Sequence, residues 1–407
     1  MTHRFARLRR FRFNLPQRIA AVLLVLFLAQ GLWLTSRQTL SDRDYQYARC
    51  GREMWESPSA VPGYFTTCGN IRDGVLAYRA AGLPLTLGLL AERGLDHFRA
   101  PEDRVVQQSG QSSTGLVSTW ELRHQLTHIL LLLRLPFLFA GCVLGAGLWW
   151  VTRRLFGNFG GYTALALYCF SPAVLKASVS PSPEILATLG VYGAVYTCIG
   201  VAHAMQGPRR KWRPRIVLLT AAFGLAAASH TLALLVAALL GLGFMLWVAE
   251  GRRASVLPVV LLASVGALVV VFALYGFSPD AYSYIFRSAA AIFWFSLDPA
   301  RRFFSALPNA GIAVAAAAAL VLYLGVRRSR YFGNTAPLLC ALVCFVLVMT
   351  GVPGTPWLWA QPFLLTFIGG VFADAYESSR PRLALAAGGA VVALQVLVCV
   401  LSLPTLL

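Results

Sequence analysis

The feature that most narrows the folds open to this chain is a series of about eleven apolar runs separated by short hydrophilic connections. They cover residues 19–34, 129–151, 161–175, 184–202, 216–228, 232–249, 256–275, 310–326, 336–350, 357–373 and 383–403. A helix needs roughly 17–25 such residues to cross the hydrocarbon layer, where each backbone polar group must find its partner within the segment. The pattern predicts an all-α polytopic membrane protein, with residues 1–407 forming a single integral membrane domain. The shortest run, 216–228, meets 232–249 at Ser229-His230-Thr231, and the two are expected to form one broken hairpin. Composition agrees: 57% of the 407 residues are hydrophobic, 13% are charged, and the mean hydropathy of +0.65 is too high for a soluble domain.

The formal charge of +19 would suggest nucleic acid in a soluble protein, but the charges lie in clusters between the apolar runs. The tail 1–18 holds six arginines, and alternate loops hold Arg153/Arg154, Arg209/Arg210/Lys211/Arg213/Arg215, Arg252/Arg253, Arg327/Arg328/Arg330 and Arg380/Arg382. Twenty of the 35 basic residues thus fall on one side of the expected topology. Lysine and arginine mark the cytoplasmic side. The N-terminus is therefore expected in the cytoplasm, the C-terminus outside, and the excess charge is topological, with no nucleic-acid partner implied. The first run follows an arginine-rich segment, as a signal peptide would, but residues 33–38 offer no small-residue cleavage site and the run reads as an uncleaved anchor.

Two outer loops result, 37–127 and 277–308. The first holds ten acidic and ten basic residues, a balance that suits a site better than an anchor. Within it, 45–55 and 83–97 mix apolar and charged positions at helical spacing, as helices lying along the interface do, while 105–118 is polar. The second loop carries YSYIFRSAAAIFWFSLDPARRFF, aromatics with arginines that also suit an interfacial helix. A short outer connection, 176–183, reads KASVSPSP and is expected to be irregular. Six of the eight cysteines sit in apolar runs as small buried residues; Cys50 and Cys68 share the first outer loop and are expected to form a disulfide if that side is oxidising.

Acidic groups near a membrane are costly, so each invites a functional reading beside a simpler one. Asp42 and Asp44 follow the first run and suit either solvated charges and helix caps or a general base at the mouth of the bundle. Glu184 opens the fourth run, either as a carboxylate favoured by the helix dipole or as a second member of such a site. Asp374 and Glu377 are expected in a cytoplasmic loop. Lys176, Arg134, Arg287, Arg301 and Arg302 are outer-side candidates to hold a phosphate; the last two equally suit an interfacial role. A charge at the position of Arg134 is expensive unless paired. His124 and His128, four apart, share a helix face and are weak candidates for a divalent metal, no cofactor being otherwise implied. His230, between two runs, could contact substrate or backbone.

Three segments resemble the GT-C superfamily of membrane glycosyltransferases, in particular its bacterial protein O-mannosyltransferase and aminoarabinose-transferase branch. The first is DYQYARCGREM from Asp44 to Met54. The second, running from Arg134 to Glu184, has the Arg-Leu-Pro helix, the Arg-Leu-Phe-Gly turn, the Ser-Pro helix end and the acid opening the next span. The third is GLAAASHTLALLVAAL from Gly224 to Leu239. The resemblance implies a GT-C-like fold with interfacial helices in the first outer loop, in a bacterial inner membrane. It implies inverting transfer of a sugar from a polyprenyl-phosphate donor to a protein, lipid or glycan acceptor on the outer face, with Asp44 and Glu184 matching the family's acids. Arg43 stands where relatives carry the first acid of a pair, with Asp42 one step away. The alternative is a non-catalytic relative or a lipid-linked sugar transporter that binds the donor without turnover.

Overall fold

The structure is a computed structural model that describes residues 14–56, 74–97, 126–207, 212–275, 296–325, 331–349, 356–378 and 381–407. Among these residues it is helical throughout. Helix α1 (Leu15–Arg37) precedes α2 (Asp42–Glu56) and α3 (Val75–His97); then come α4 (Leu126–Cys169), α5 (Pro172–Val179), α6 (Pro183–Met205), α7 (Arg213–Ser229), α8 (Thr231–Val248) and α9 (Val256–Leu274). The chain continues through α10 (Asp298–Ser305), α11 (Leu307–Gly325), α12 (Tyr331–Val348), α13 (Pro356–Tyr376) and α14 (Pro381–Leu406).

Helix α4 is a hairpin in its own right. At Gly157 the backbone takes φ 83° and ψ −175°, a conformation that side chains beyond glycine avoid. The chain then folds back, so that the Tyr168 hydroxyl donates to the Gly141 carbonyl at 2.6 Å, and a Cβ on Gly161 would lie 2.9 Å from that of Arg153. The Arg-Leu-Phe-Gly segment is therefore this turn, as expected. The returning arm stops sooner than expected. It ends at Cys169, and Ser171-Pro172 opens a new helix, α5, with the Ser171 hydroxyl accepting from the Val174 amide. Serine at the cap and proline in the first turn start a helix as readily as they end one. Lys176 to Val179 are consequently helical, and the irregular backbone is confined to residues on either side of α5.

Among the described residues, eight helices are long and apolar enough to cross a membrane. Their outward faces carry large apolar side chains, as on α9 with Leu257, Leu261, Leu262, Val265 and Val269. A belt of this kind has no place in water. The chain is a multi-pass membrane protein. Eight is a tally of length and composition, in which the hairpin α4 counts once, and it does not establish the expected eleven. Parity is firmer: Gln38, just after α1, donates to the carbonyl of Leu406, the last residue of α14. Both helices thus end on the same side of the bundle, which requires an odd number of crossings.

The centre is α13, buried along almost its whole length against α4, α6, α11 and α12. Gly369 lets it approach α4 closely: a Cβ there would stand 2.5 Å from the Gly160 carbonyl. Polar side chains inside the bundle link distant helices, as Tyr192 of α6 meets Thr366 of α13 at 3.0 Å and Gln395 of α14 donates to the Phe170 carbonyl at 2.9 Å. Asp374, expected in a loop, instead lies in the last turn of α13, where its carboxylate accepts from the Asn334 side chain of α12 at 2.5 Å. A charged residue does not end a helix, and the contact with α12 supplies a donor to the carboxylate where the last turn is buried.

Helices α2 and α3 form a second hairpin laid over one end of the bundle. They touch backbone to backbone where Gly51 meets Gly82, since a Cβ on Gly82 would fall 2.1 Å from the Gly51 carbonyl carbon. Tyr47 and Tyr78 stack beside the crossing at 4.2 Å. Helix α3 begins at Val75, eight residues before the amphipathic stretch that suggested it: Val75, Tyr78, Ala81 and Leu85 form one buried face, but the first two turns are apolar apart from Arg79, so the sequence there shows little contrast between faces. The hairpin grips the ends of other helices. Gly74 abuts the Ala228 and Ser229 carbonyls that close α7, and Arg79 donates to the Leu274 carbonyl at the end of α9 at 2.7 Å.

Candidate functional site

The α2–α3 end is where the sequence-derived candidates gather. Helix α1 ends there, both arms of α4 open there, α5 lies there, and Glu184 starts α6 there. His230 separates α7 from α8 at the same end. It is extended, with φ −158° and ψ 125°, and its Nδ1 accepts from the Leu232 amide at 3.2 Å, so the broken hairpin takes the expected form. Its ring meets Trp359, in the first turn of α13, edge-on at 5.5 Å. Lys176 is exposed on α5, and Arg301 is exposed on α10. Arg302 belongs to α10, with its side chain outside those described, while Arg287, His124 and Cys68 lie outside the described residues. His128 is exposed on α4. Cys50 is buried and disulfide-bonded, and the expected partner, Cys68, is beyond description here.

One pair of candidates is in direct contact. Arg134, in the first arm of α4, and Asp44, in the first turn of α2, are 90 residues apart in sequence and form a buried ion pair, with 2.7 Å between Nη2 and Oδ2. Nε of the same guanidinium donates to Oδ1 at 3.4 Å, so both carboxylate oxygens face the arginine fork. The two residues are 5% and 2% exposed. At that depth neither charge is tolerable without the other. Asp42 points instead to the exterior, and Arg43 rests on the Tyr47 ring.

Asp44 has further partners. The Ser41 amide donates to Oδ2 at 3.0 Å and the Ser41 hydroxyl at 2.8 Å, while the Asp44 amide donates back to that hydroxyl at 3.2 Å. This is a capping box, and its Ser-x-x-Asp signature was present in the sequence. On the other side of the guanidinium, Nη1 donates to Oε1 of Gln38, whose amide nitrogen is the donor to Leu406. Four elements, α1, α2, α4 and α14, are thus joined through one arginine. Sequence reasoning missed Gln38, which has no motif to mark it, and Arg79, which ties α3 to α9 beneath the Trp55 ring at 5.1 Å.

Residues 127–276 match the family model for dolichyl-phosphate-mannose-protein mannosyltransferase. That stretch includes Arg134, Lys176, Glu184 and His230. The structure of ArnT from Cupriavidus metallidurans bound to undecaprenyl phosphate aligns over 91% of this chain with a TM-score of 0.58 at 16% identity. The fold is GT-C. A second structure, archaeal oligosaccharyltransferase AglB from Archaeoglobus fulgidus in complex with an inhibitory peptide and a dolichol-phosphate, aligns over 93% of this chain with a TM-score of 0.54 at 12% identity. The chain spans 61% of that ArnT chain and 55% of that AglB chain. No curated protein matches it significantly.

Proposed function

We propose that the protein is a glycosyltransferase that takes a sugar from a polyprenyl-phosphate donor and passes it, with inversion, to an acceptor hydroxyl on the outer face of a bacterial inner membrane. The observation that carries this reading is the concentration of acids and cations at the α2–α3 end of a GT-C bundle, with Asp44 and Arg134 already in register. The two structures named above hold undecaprenyl phosphate and dolichol-phosphate, the donor's lipid class. In the proposed reaction a carboxylate, Asp44 or Glu184, takes the proton of the acceptor hydroxyl as its oxygen bonds to the anomeric carbon. The bond from that carbon to phosphate oxygen breaks, and the lipid phosphate departs with the electron pair. Arg134 and Lys176 would stabilise the charge that develops on it. The chemistry calls for no cofactor.

The test is sugar transfer by the full chain in proteoliposomes. Asp44→Asn and Glu184→Gln should each abolish turnover while the proteins remain folded in detergent. Full activity in both would overturn the assignment. One observation favours a second reading, a relative that binds the donor without turnover: both oxygens of Asp44 are engaged by Arg134 and Ser41. Donor binding with no sugar release by the unaltered protein would select it.

A further inference from the structure

The guanidinium of Arg134 is held on two faces of different character. One meets the Asp44 carboxylate through Nε and Nη2; the other meets the neutral Gln38 amide through Nη1. The orientation of that amide is dictated by its neighbours. Only its oxygen can accept from a guanidinium, and its nitrogen donates to the Leu406 carbonyl. A carboxylate and a phosphate, whether the diester of a lipid-linked sugar or the monoester left after transfer, offer an arginine fork the same thing, two oxygens in the plane of its N–H groups. Asp44 therefore occupies the face of Arg134 that an anionic ligand would use, and it lies one residue beneath Ser41, Asp42 and Arg43, all exposed.

We propose that Asp44 stands, in the donor-free protein, in the place of the donor phosphate on Arg134, that the lipid-borne phosphate displaces it, and that Gln38 is the positioning residue that holds the guanidinium through the exchange. The proposal rests on the transferase reading above and resolves a difficulty in it. Three donors fall on Oδ2 and Nε of Arg134 lies 3.4 Å from Oδ1, so the carboxylate is held on the arginine fork and on Ser41, and its charge is offset, which weakens it as a base. Exchange turns the carboxylate away from the arginine at the moment the donor arrives, which couples donor binding to release of the base. Gln38 suits its part because it is neutral. A carboxylate there would cancel the guanidinium charge that must attract the phosphate.

The experiment measures binding of undecaprenyl phosphate to the full chain in detergent. Asp44→Asn removes the internal competitor and should bind about tenfold more tightly than the unaltered protein. Gln38→Glu, equal in size but charged, should bind about tenfold more weakly. Opposite signs from two neighbouring substitutions are not what a general loss of structure produces. Unchanged or weaker binding by Asp44→Asn overturns the exchange, as does unchanged binding by Gln38→Glu. If Asp44→Asn does not fold, Ser41→Ala takes its place. It loosens the carboxylate without removing it and should tighten binding by about twofold, and no gain counts against the proposal. Displacement of the lipid by millimolar inorganic phosphate would assign the face to free phosphate and overturn the donor form of the proposal. If no form binds undecaprenyl phosphate, the transferase reading itself falls, a result distinct from binding that is equal in all forms.

Discussion

A charged side chain at the mouth of a span survives there only in company, and Arg134 shows how much company it needs. Removing one partner of such a pair leaves the other buried and uncompensated, which costs about 3–5 kcal/mol. Arg134→Met should therefore lower thermal stability in detergent by about that amount. Combining it with Asp44→Leu removes both charges and should recover most of the loss. The residual deficit should be about 1 kcal/mol, because the second change also dissolves the capping box with Ser41. A double variant no more stable than the single one would show that the pairing does not decide stability here. Each half of the pair was legible in the sequence, Arg134 by its expense and Asp44 by its place after the first span. Their contact was not, since nothing periodic links positions 90 residues apart. Gln38 was less legible still: its role arises wholly from the approach of α4 on one side and α14 on the other.

At the level of elements, two kinds of glycine set the geometry of the site. Gly51 and Gly82 are where α2 crosses α3, and a methyl group at either would overlap the backbone of the other helix. Gly82→Ala should push the hairpin apart, break the Tyr47–Tyr78 stack and destabilise the protein by about 1–3 kcal/mol, with faster amide exchange in α2 and loss of transfer activity. Gly157 is different. A Cβ there meets nothing within 4 Å, and the penalty comes from φ 83° alone. Gly157→Ala should cost about 1–3 kcal/mol through the backbone while leaving the α2–α3 end in place, so that binding of undecaprenyl phosphate persists at temperatures where the protein is folded. Native exchange and unfolding measurements on the two variants separate the cases. The α4 turn was visible beforehand because its glycine sits in a recognisable Arg-Leu-Phe-Gly segment. The early start of α3 and the separate helix α5 were not: the first two turns of α3 are apolar apart from Arg79 and give no contrast between faces, and Ser171-Pro172 can open a helix as readily as end one.

Over the whole molecule, the alternation of arginine clusters was the most informative pattern, because membrane orientation depends on composition and not on contacts. The structure adds two constraints of its own. Helices α1 and α14 end together, through Gln38 and Leu406, so the start of α1 and the end of α14 lie at opposite ends of the bundle. At the end remote from α2 and α3, arginines lie over tryptophan rings, Arg153 on Trp149 at 5.1 Å, Arg154 on Trp150 at 5.5 Å and Arg252 on Trp212 at 5.7 Å. Tryptophan favours the headgroup level, and a cation stacked on it gains both the ring and the phosphate layer. These pairs place one interface at the α4 turn and the start of α7, with the α2–α3 hairpin at the other. If that arginine-lined interface is the cytoplasmic one, a fluorescent protein inserted at Gly207, between α6 and α7, should fold and fluoresce. Alkaline phosphatase, which needs disulfides formed outside the cytoplasm, should be inactive there and active when joined after Leu407. The reverse pattern would turn the bundle over, put Asp44 and Arg134 on the cytoplasmic side, and remove the outer-face acceptor from the proposed reaction while leaving the fold untouched.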